Sequence, residues 1–493
     1  IVDVSDKTNP QTIGQHTTPN NFTHNAWVSD DGNYVFTTDE QSDAYLAAYD
    51  ISNINNIQEV DRIQSNPGSN TIPHNTHVDG NFLITSYYRD GTTVHDITYP
   101  NNMIEVGYYD SYPGSGSGFD GNWGTYPFLP SGNIISSDIN SGANQSAKLL
   151  IYERQFQQAC YLEGTVTDAN TTNAIASANI EILTSSISTS TNISGAYTSG
   201  IANGGTYNIL FSKPGYESDT ISAILSNGVL TTVNAQLVPL PSFTGNGIVT
   251  DITGNGIANA QVLIYNNDFT FTLTTDVNGN FNVANMYDGN YEVIVGQWGY
   301  NTICSNENIT TTNNNLTIVL PEGYYDDFTF VFGWTVSGQA TDGMWSVGDP
   351  EGTSAQGTNL NPEDDVNGDC YVNAYVTDPA AGNQAGSNDV DDGDAILTSP
   401  ILDLSSYPTP HIHYYRWFAN AYGNSPDDSL IVRITDGNST VDVEVITANS
   451  PNLSSWQQNS FKVSDYLPPT SSMQIIFYTA DELYDNQNYI IKT

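Results

Sequence analysis

"GTVTDANTTNAIASANIEI", residues 164–182, returns as "GIVTDITGNGIANAQVLI" at 247–264. The landmarks around the two copies keep the same spacing. "SGAY" (194–197) answers "NGNF" (278–281), "GTYNI" (205–209) answers "GNYEV" (289–293), and Gly-Tyr recurs at 215 and 299. Tyr207 and Tyr291 open alternating strands, and the glycines mark turns that need positive φ. Two small antiparallel β-sandwiches in tandem follow, over 159–240 and 243–320. The Pro-containing joint "VPLPS" (238–242) reads as a stiff linker between them.

Upstream, a shorter repeat takes over. "IVDVSDKTNPQTIGQ" (1–15), "AAYDISNINNIQEVD" (47–61) and "TVHDITYPNNMIEVG" (93–107) superimpose on Asp3, Asp50 and Asp96. Between them lie "HNAWVSDDGNYVFTTDE" (24–40), "HNTHVDGNFLITSYY" (74–88) and a diverged copy, "GNWGTYPFLPSGNIISSDI" (121–139). A blade-sized period filled with short strands and Gly/Asn turns predicts part of a β-propeller over 1–155. About three blades are too few to close a ring, and residue 1 already lies inside a strand pattern without an initiator Met. Further blades are therefore expected upstream.

Downstream, from "GYYDDFTFVFGWTVSG" (323–338), long strand-like runs at 396–404, 411–418, 429–435, 441–447 and 473–479 alternate with acidic loops. They predict a larger sandwich of jelly-roll type over 322–493, ending abruptly at "NYIIKT", so a cut C-terminus is expected. The fold class is thus all-β: a partial propeller, two small sandwiches and a jelly roll.

The chain has 493 residues, enough for several cores, and a net charge of −44 from 54 acidic and 10 basic residues. Such a surface repels phosphate backbones and anionic lipid, which argues against nucleic acid and membrane-surface partners. Only 13% of residues are charged and 38% are hydrophobic, so this is not an acidic disordered tail. With so few cationic side chains, the acids must be solvated or met by a divalent cation. Cys160, Cys304 and Cys370 are dispersed, and no CxxC motif exists. No apolar run has the length of a membrane helix.

Residues 1–155 resemble the propeller of secreted choice-of-anchor B proteins with LVIVD-type repeats, through "IVDVSDKTNP", "HNAWVSDDGNYVFTTDE" and "WGTYPFLPSGNIISSDI". The 83-residue repeat resembles carboxypeptidase regulatory-like domains, within the carbohydrate-binding-like fold group, which implies that the two small sandwiches are transthyretin-like. Residues 322–493 are similar to the jelly-roll modules of Bacteroidota surface proteins, in the style of MAM and cleaved-adhesin domains. "DGMWSVGDP", "NPEDDVNGDCYV", "NDVDDGDAILTSPILDLS" and "HYYRWFAN" carry that likeness. These resemblances imply a secreted, multidomain, Gram-negative surface protein exported by a type IX system. They imply no named activity.

Three constellations carry possible chemistry. His24, His74 and His77 each precede a strand, with Asp39 and Glu40 one strand on. Imidazoles plus a carboxylate suit a transition metal. The competing reading, which the repetition favours, is that each His-Asn hydrogen-bonds a loop carbonyl of the next blade. His16 and His95 read as surface residues. The loops "EDDVNGD" (363–369) and "NDVDDGD" (388–394) offer Asp364, Asp365, Asp369, Asp389, Asp391, Asp392 and Asp394 to a structural calcium ion, although neither is an EF-hand. Trp298, Trp345 and Tyr265 are candidates for stacking on a sugar, whereas "YYRWF" (414–418) reads as core, with Arg416 against a buried acid.

No nucleophile elbow, HExxH helix or phosphate loop is present. The expected function is therefore a non-catalytic extracellular scaffold or adhesin that binds glycan or protein. The alternatives are an accessory region of a secreted metallopeptidase or glycan hydrolase, and a metal-dependent propeller enzyme.

Overall fold

The computed structural model describes residues 1–492 except 115, 140–145, 356, 378, 380–389, 392, 421–427 and 482–490. Everything regular in it is β-strand apart from one 3-10 turn, Val463–Asp465, and no sheet closes into a barrel among the described residues. The chain divides into two compact units, Ile1–Leu240 and Pro241–Thr493.

The first unit opens with a two-stranded ribbon, β1 (Val2–Asp3) and β2 (Gln11–Thr12). Three antiparallel meanders follow. The first is β3 (Thr23–Val28), β4 (Tyr34–Asp39), β5 (Leu46–Asp50) and β6 (Gln58–Ile63). The second is β7 (Thr76–Asp79), β8 (Phe82–Ser86), β9 (Thr92–Asp96) and β10 (Ile104–Tyr109). The third is β11 (Gly121–Tyr126), β12 (Ile134–Ile139) and β13 (Lys148–Tyr152). Strands β3, β7 and β11, the first of each meander, lie beside one another.

The middle strands of the first two meanders are buried on both faces, each meander being packed against the next. Phe36, Leu46 and Ala48 of the first pack on Val78 and Leu83 of the second. On the other side of the second meander, Ile84 and Val94 meet Ile134 of the third. The repeated Asp3, Asp50 and Asp96 all close the same turn, accepting the amide of Ser5, Ser52 and Thr98 at 2.8, 2.9 and 2.8 Å.

The sandwich repeat holds down to single hydrogen bonds. In the first copy, β14 (Cys160–Asp168) pairs antiparallel with β17 (Ala196–Ile201) and parallel with β20 (Leu230–Thr232) and β21 (Ala235–Leu237). The facing sheet runs β16 (Ser188–Ser190), β15 (Asn179–Ile182), β18 (Gly205–Ser212), β19 (Asp219–Leu225). The second copy repeats this with β22 (Phe243–Asp251), β23 (Gln261–Tyr265), β24 (Thr270–Thr274), β25 (Asn280–Met286), β26 (Gly289–Gly296), β27 (Ile303–Ile309) and β28 (Asn315–Leu320). A buried threonine latches each: Thr191 Oγ1 donates to Ile175 O and accepts from the Ala178 amide, and Thr275 does the same with Ile257 and Ala260. Gly195 and Gly279 sit at φ +76° and +79°, where a Cβ would strike the carbonyls of Val166 and Val249.

The last region has a five-stranded sheet ordered Thr335–Gly338, Gly393–Thr398, Gln474–Asp481, Ser429–Thr435, Thr440–Thr447. A separate pair, His411–Arg416 with Gln457–Lys462, packs through Tyr414 and Phe461 into the same core. Strand ends shift from expectation at most of these runs, and one strand is unexpected. The strand expected over 396–404 stops at Thr398, ahead of Pro400, which lacks an N–H to continue the ladder. The strand Gln457–Lys462 has too little apolar alternation to be read in advance.

A disulfide joins Cys304 on β27 to Cys370, with Cα atoms 5.6 Å apart, and Cys160 is a buried free thiol. Beside this link, Trp298 donates from Nε1 to Ile401 O at 2.7 Å and packs against the core of the last region. The Tyr324 hydroxyl accepts from the Asp403 amide at 2.9 Å.

Candidate functional site

The tightest cluster of ligand-type side chains among the described residues is His24, Glu40 and His74. His24 lies on β3, Glu40 follows β4, and His74 precedes β7, so the group spans the first two meanders. His24 Nδ1 stands 3.0 Å from Glu40 Oε2, and His74 Nε2 is 3.4 Å from Glu40 Oε1. The two imidazoles stack with centroids 4.2 Å apart. His74 is buried, Glu40 half-buried and His24 exposed, which leaves the group open on one side.

Partners around the cluster fix its geometry. His74 Nδ1 lies 2.5 Å from the carbonyl oxygen of Trp123 at the start of the third meander, and the Asn75 amide donates to the same oxygen at 3.2 Å. The same Nδ1 stands 2.7 Å from the Asn75 amide nitrogen; with the hydrogen on Nδ1 for the Trp123 carbonyl, which can only accept, Nε2 is the atom presented to Glu40. The Tyr88 hydroxyl donates to Glu40 Oε1 at 2.7 Å. The Thr76 amide donates to Asn25 Oδ1 at 3.1 Å, tying β7 to β3. The His-Asn pairs therefore do fasten neighbouring meanders, and at the same positions they gather a His-Glu-His set.

His77 does not join them. It faces the opposite way on β7, against Trp27 and Phe128, with ring centroids 4.6 and 5.9 Å away, and its buried Nδ1 has no hydrogen-bond partner. A three-histidine set is replaced by two histidines and Glu40, because alternation along the strand puts residues 74 and 77 on different faces. His16 is exposed as expected. His95 is not: it is fully buried, neither ring nitrogen has a hydrogen-bond partner, and Nε2 lies 3.7 Å from Glu105 Oε2. Burial pushes His95 down to about 4 and Glu105 up to about 7.

The acidic loops of the last region are separated. Asp365 and Asp369 influence one another, and both are pushed up, first by burial and then by neighbouring carboxylates. The neighbours include Asp349 and Asp364 around Asp365, and Asp327 beside Asp369. Asp327 is a functional candidate that motif spacing missed. It is 4% exposed, its Oδ1 accepts from the Thr329 amide, and its Oδ2 is unpartnered, as is Asp365 Oδ2. The available signal was two adjacent acids at 326–327 inside an aromatic run.

Asp394 instead accepts from the Gln339 amide at 2.8 Å, and Asp391 bridges to Asp342 through backbone. Asp364 is exposed, while Asp389 and Asp392 lie outside the described residues. No three of the described carboxylates here bring oxygens as close together as the His24–Glu40–His74 group does.

The aromatic candidates are mostly enclosed. Trp345 is 6% exposed in the core and donates to Ala395 O, so neither ring face is free for a sugar; that expectation is corrected. Trp298 is wedged between the second sandwich and the last region rather than standing out from a turn. Tyr265 is half-buried, bonded to Glu292, and meets Tyr371 edge-on. Arg416 does pair with a partly buried acid, Glu444, at 2.6 Å.

Comparison with known proteins adds one family. Residues 161–238 and 246–321 each match the carboxypeptidase regulatory-like domain. These are the two sandwiches. Among curated proteins, none matches the chain. Solved structures with similarity include a streptococcal ancillary pilin, 13% identical over 47% of this chain and 81% of its own, TM-score 0.26. A minor pilin of Streptococcus agalactiae is 13% identical over 35% of this chain and 100% of its own, TM-score 0.23. The Bacillus anthracis TIE protein is 10% identical over 95% and 70% respectively, TM-score 0.18.

Proposed function

We propose that this chain is a non-catalytic extracellular scaffold, a series of β-modules that holds a binding face away from a cell surface. The observation that carries the reading is the covalent splice between modules. The second of two repeated sandwiches is joined by Cys304–Cys370 to the region that follows, and Trp298 packs into the same joint. Disulfides persist in oxidising compartments, which fits secretion. Stiffening a joint serves a spacer and does nothing for turnover.

The finer reading goes further. The three meanders from Thr23 to Tyr152 are blades of an LVIVD-type propeller, supported by their antiparallel up-and-down order (four strands in the first two, three in the third), adjacent first strands and repeated aspartate turn. The last region is a jelly roll of the MAM or cleaved-adhesin style from a Gram-negative Bacteroidota surface protein. It holds calcium at the 363–369 loop, for which the unpartnered Oδ2 atoms of Asp365 and of Asp327 speak. The ligand is an extracellular glycan or protein. The regulatory-like match also favours a second reading, an accessory region beside a peptidase or hydrolase domain.

The test is to present the intact chain, with and without calcium, to arrays of extracellular glycans and matrix proteins. Saturable binding without turnover supports the scaffold. Cleavage of a polysaccharide or peptide, abolished by one substitution, overturns it.

A further inference from the structure

We infer that His24, Glu40 and His74 form a binding site for one first-row transition-metal dication, zinc being the probe of choice, which clamps the first two meanders together. This does not rest on the scaffold reading. One ligand atom from each of the three residues lies within 4.8 Å of the others. The two separations to the carboxylate, 3.0 Å from His24 Nδ1 and 3.4 Å from His74 Nε2, are close to the roughly 3.4 Å between tetrahedral ligands held about 2.0–2.2 Å from one zinc ion. Two imidazoles and a carboxylate select a borderline metal over calcium, which takes oxygen ligands.

Second partners are in place for two of the three ligands. Metal-bound histidines ordinarily donate their other ring N–H to a carbonyl or carboxylate, and His74 does so to Trp123 O. Glu40 is oriented by the Tyr88 hydroxyl. His74 Nε2 faces Glu40 Oε1 from 3.4 Å, so one cation placed between them is reached by both. Stacked imidazoles 4.2 Å apart, both directed at one carboxylate, are equally consistent with a shared ion. His24 is exposed, so the fourth position opens to solvent and takes water or a small ligand, as in three-ligand zinc sites.

The competing outcome is a simple fastener, in which Trp123 O and Asn25 hold the meanders without metal. The full chain, purified through chelator, is titrated with Zn²⁺ by calorimetry and with Co²⁺ by visible absorption, and its content is read by elemental mass spectrometry. A His411→Ala/His413→Ala background removes the exposed pair whose rings stand 6.3 Å apart, so that uptake cannot come from that surface. One equivalent of metal is expected, with the visible band of low-coordinate Co²⁺. His24→Ala and Glu40→Gln weaken it at least tenfold, and His77→Ala leaves it unchanged. His24 is exposed, so its loss does not threaten folding. No uptake at micromolar metal, or uptake insensitive to His24→Ala and Glu40→Gln, overturns the site.

Discussion

Asp96 does two jobs where its repeat partners do one. Asp3 and Asp50 close a surface turn, whereas the carboxylate of Asp96 is fully buried; Oδ1 accepts from Thr98 and Oδ2 from the Ala159 amide at 2.7 Å. Ala159 begins the first sandwich, so the third copy of a turn motif has become the joint between modules. Asp96→Ala leaves the Ala159 amide and the Thr98 donors without an acceptor, and should cost about 3 kcal/mol, given about 1–3 kcal/mol per buried orphan. Asp50→Ala should cost clearly less, since water replaces its partner. Denaturant titration of the full chain separates the two. Equal effects would mean that the joint carries no load. The repeat itself was legible in sequence, and its divergence was not, because nothing near Asp96 announces that residue 159 will sit on it. The histidines teach the same lesson. His-Asn repetition was readable, but the partners that orient His74 come from Trp123 and Tyr88, which no spacing rule links to it.

Strands and modules were more readable than single contacts. The sandwiches were visible because their turns demand glycine at positive φ and their cores demand alternation, and both demands recur at Gly195 and Gly279. The cysteines were opaque: three dispersed residues fix no pairing, and Cys304 and Cys370 meet only because β27 and the acidic loop are folded against one another. The crosslink spans 66 residues, and loop-closure entropy for such a span contributes about 4 kcal/mol. Reduction, or Cys304→Ser with Cys370→Ser, should lower the denaturation midpoint of the second unit by an amount of that order, read from tryptophan fluorescence. Trp298→Ala tests the same joint without touching sulfur. It should destabilise by about 2 kcal/mol, less than the about 3–5 kcal/mol of a core tryptophan, because Trp298 is only half-buried. If neither change moves the midpoint, the second sandwich and the last region unfold independently and the spliced-module reading fails.

Across the whole molecule, 54 acids against 10 bases make proton binding a determinant of stability. Burial pushes Asp61 and Asp326 up to about 6 and Glu105 up to about 7. An acid raised on folding holds its proton to higher pH in the native than in the unfolded chain. Its contribution is therefore fullest below the unfolded value and is lost as pH climbs through the folded one. For these three the window runs from about 4 to about 7. His95 opposes them: pushed down to about 4, it must stay neutral, so it weakens the fold as pH falls from about 6.5. Burial also holds His74 and His77 down, but Asp90, Asp110, Asp365 and Asp369 are raised as well, so the raised acids outnumber the imidazoles, and self-repulsion at a net charge of −44 acts in the same direction. The denaturation midpoint should be higher at pH 5 than at pH 7.5, and Glu105→Gln should flatten part of that slope. Calcium at pH 7.5 should restore some of the lost stability in the second unit if Asp327, Asp365 and Asp369 gather an ion, and Asp327→Asn should remove that rescue. A midpoint that rises from pH 5 to 7.5 would mean that the buried carboxyls are solvated after all. A pH effect of the expected sign without any calcium response would leave the acids of 363–369 as solvated turns and retire the calcium site.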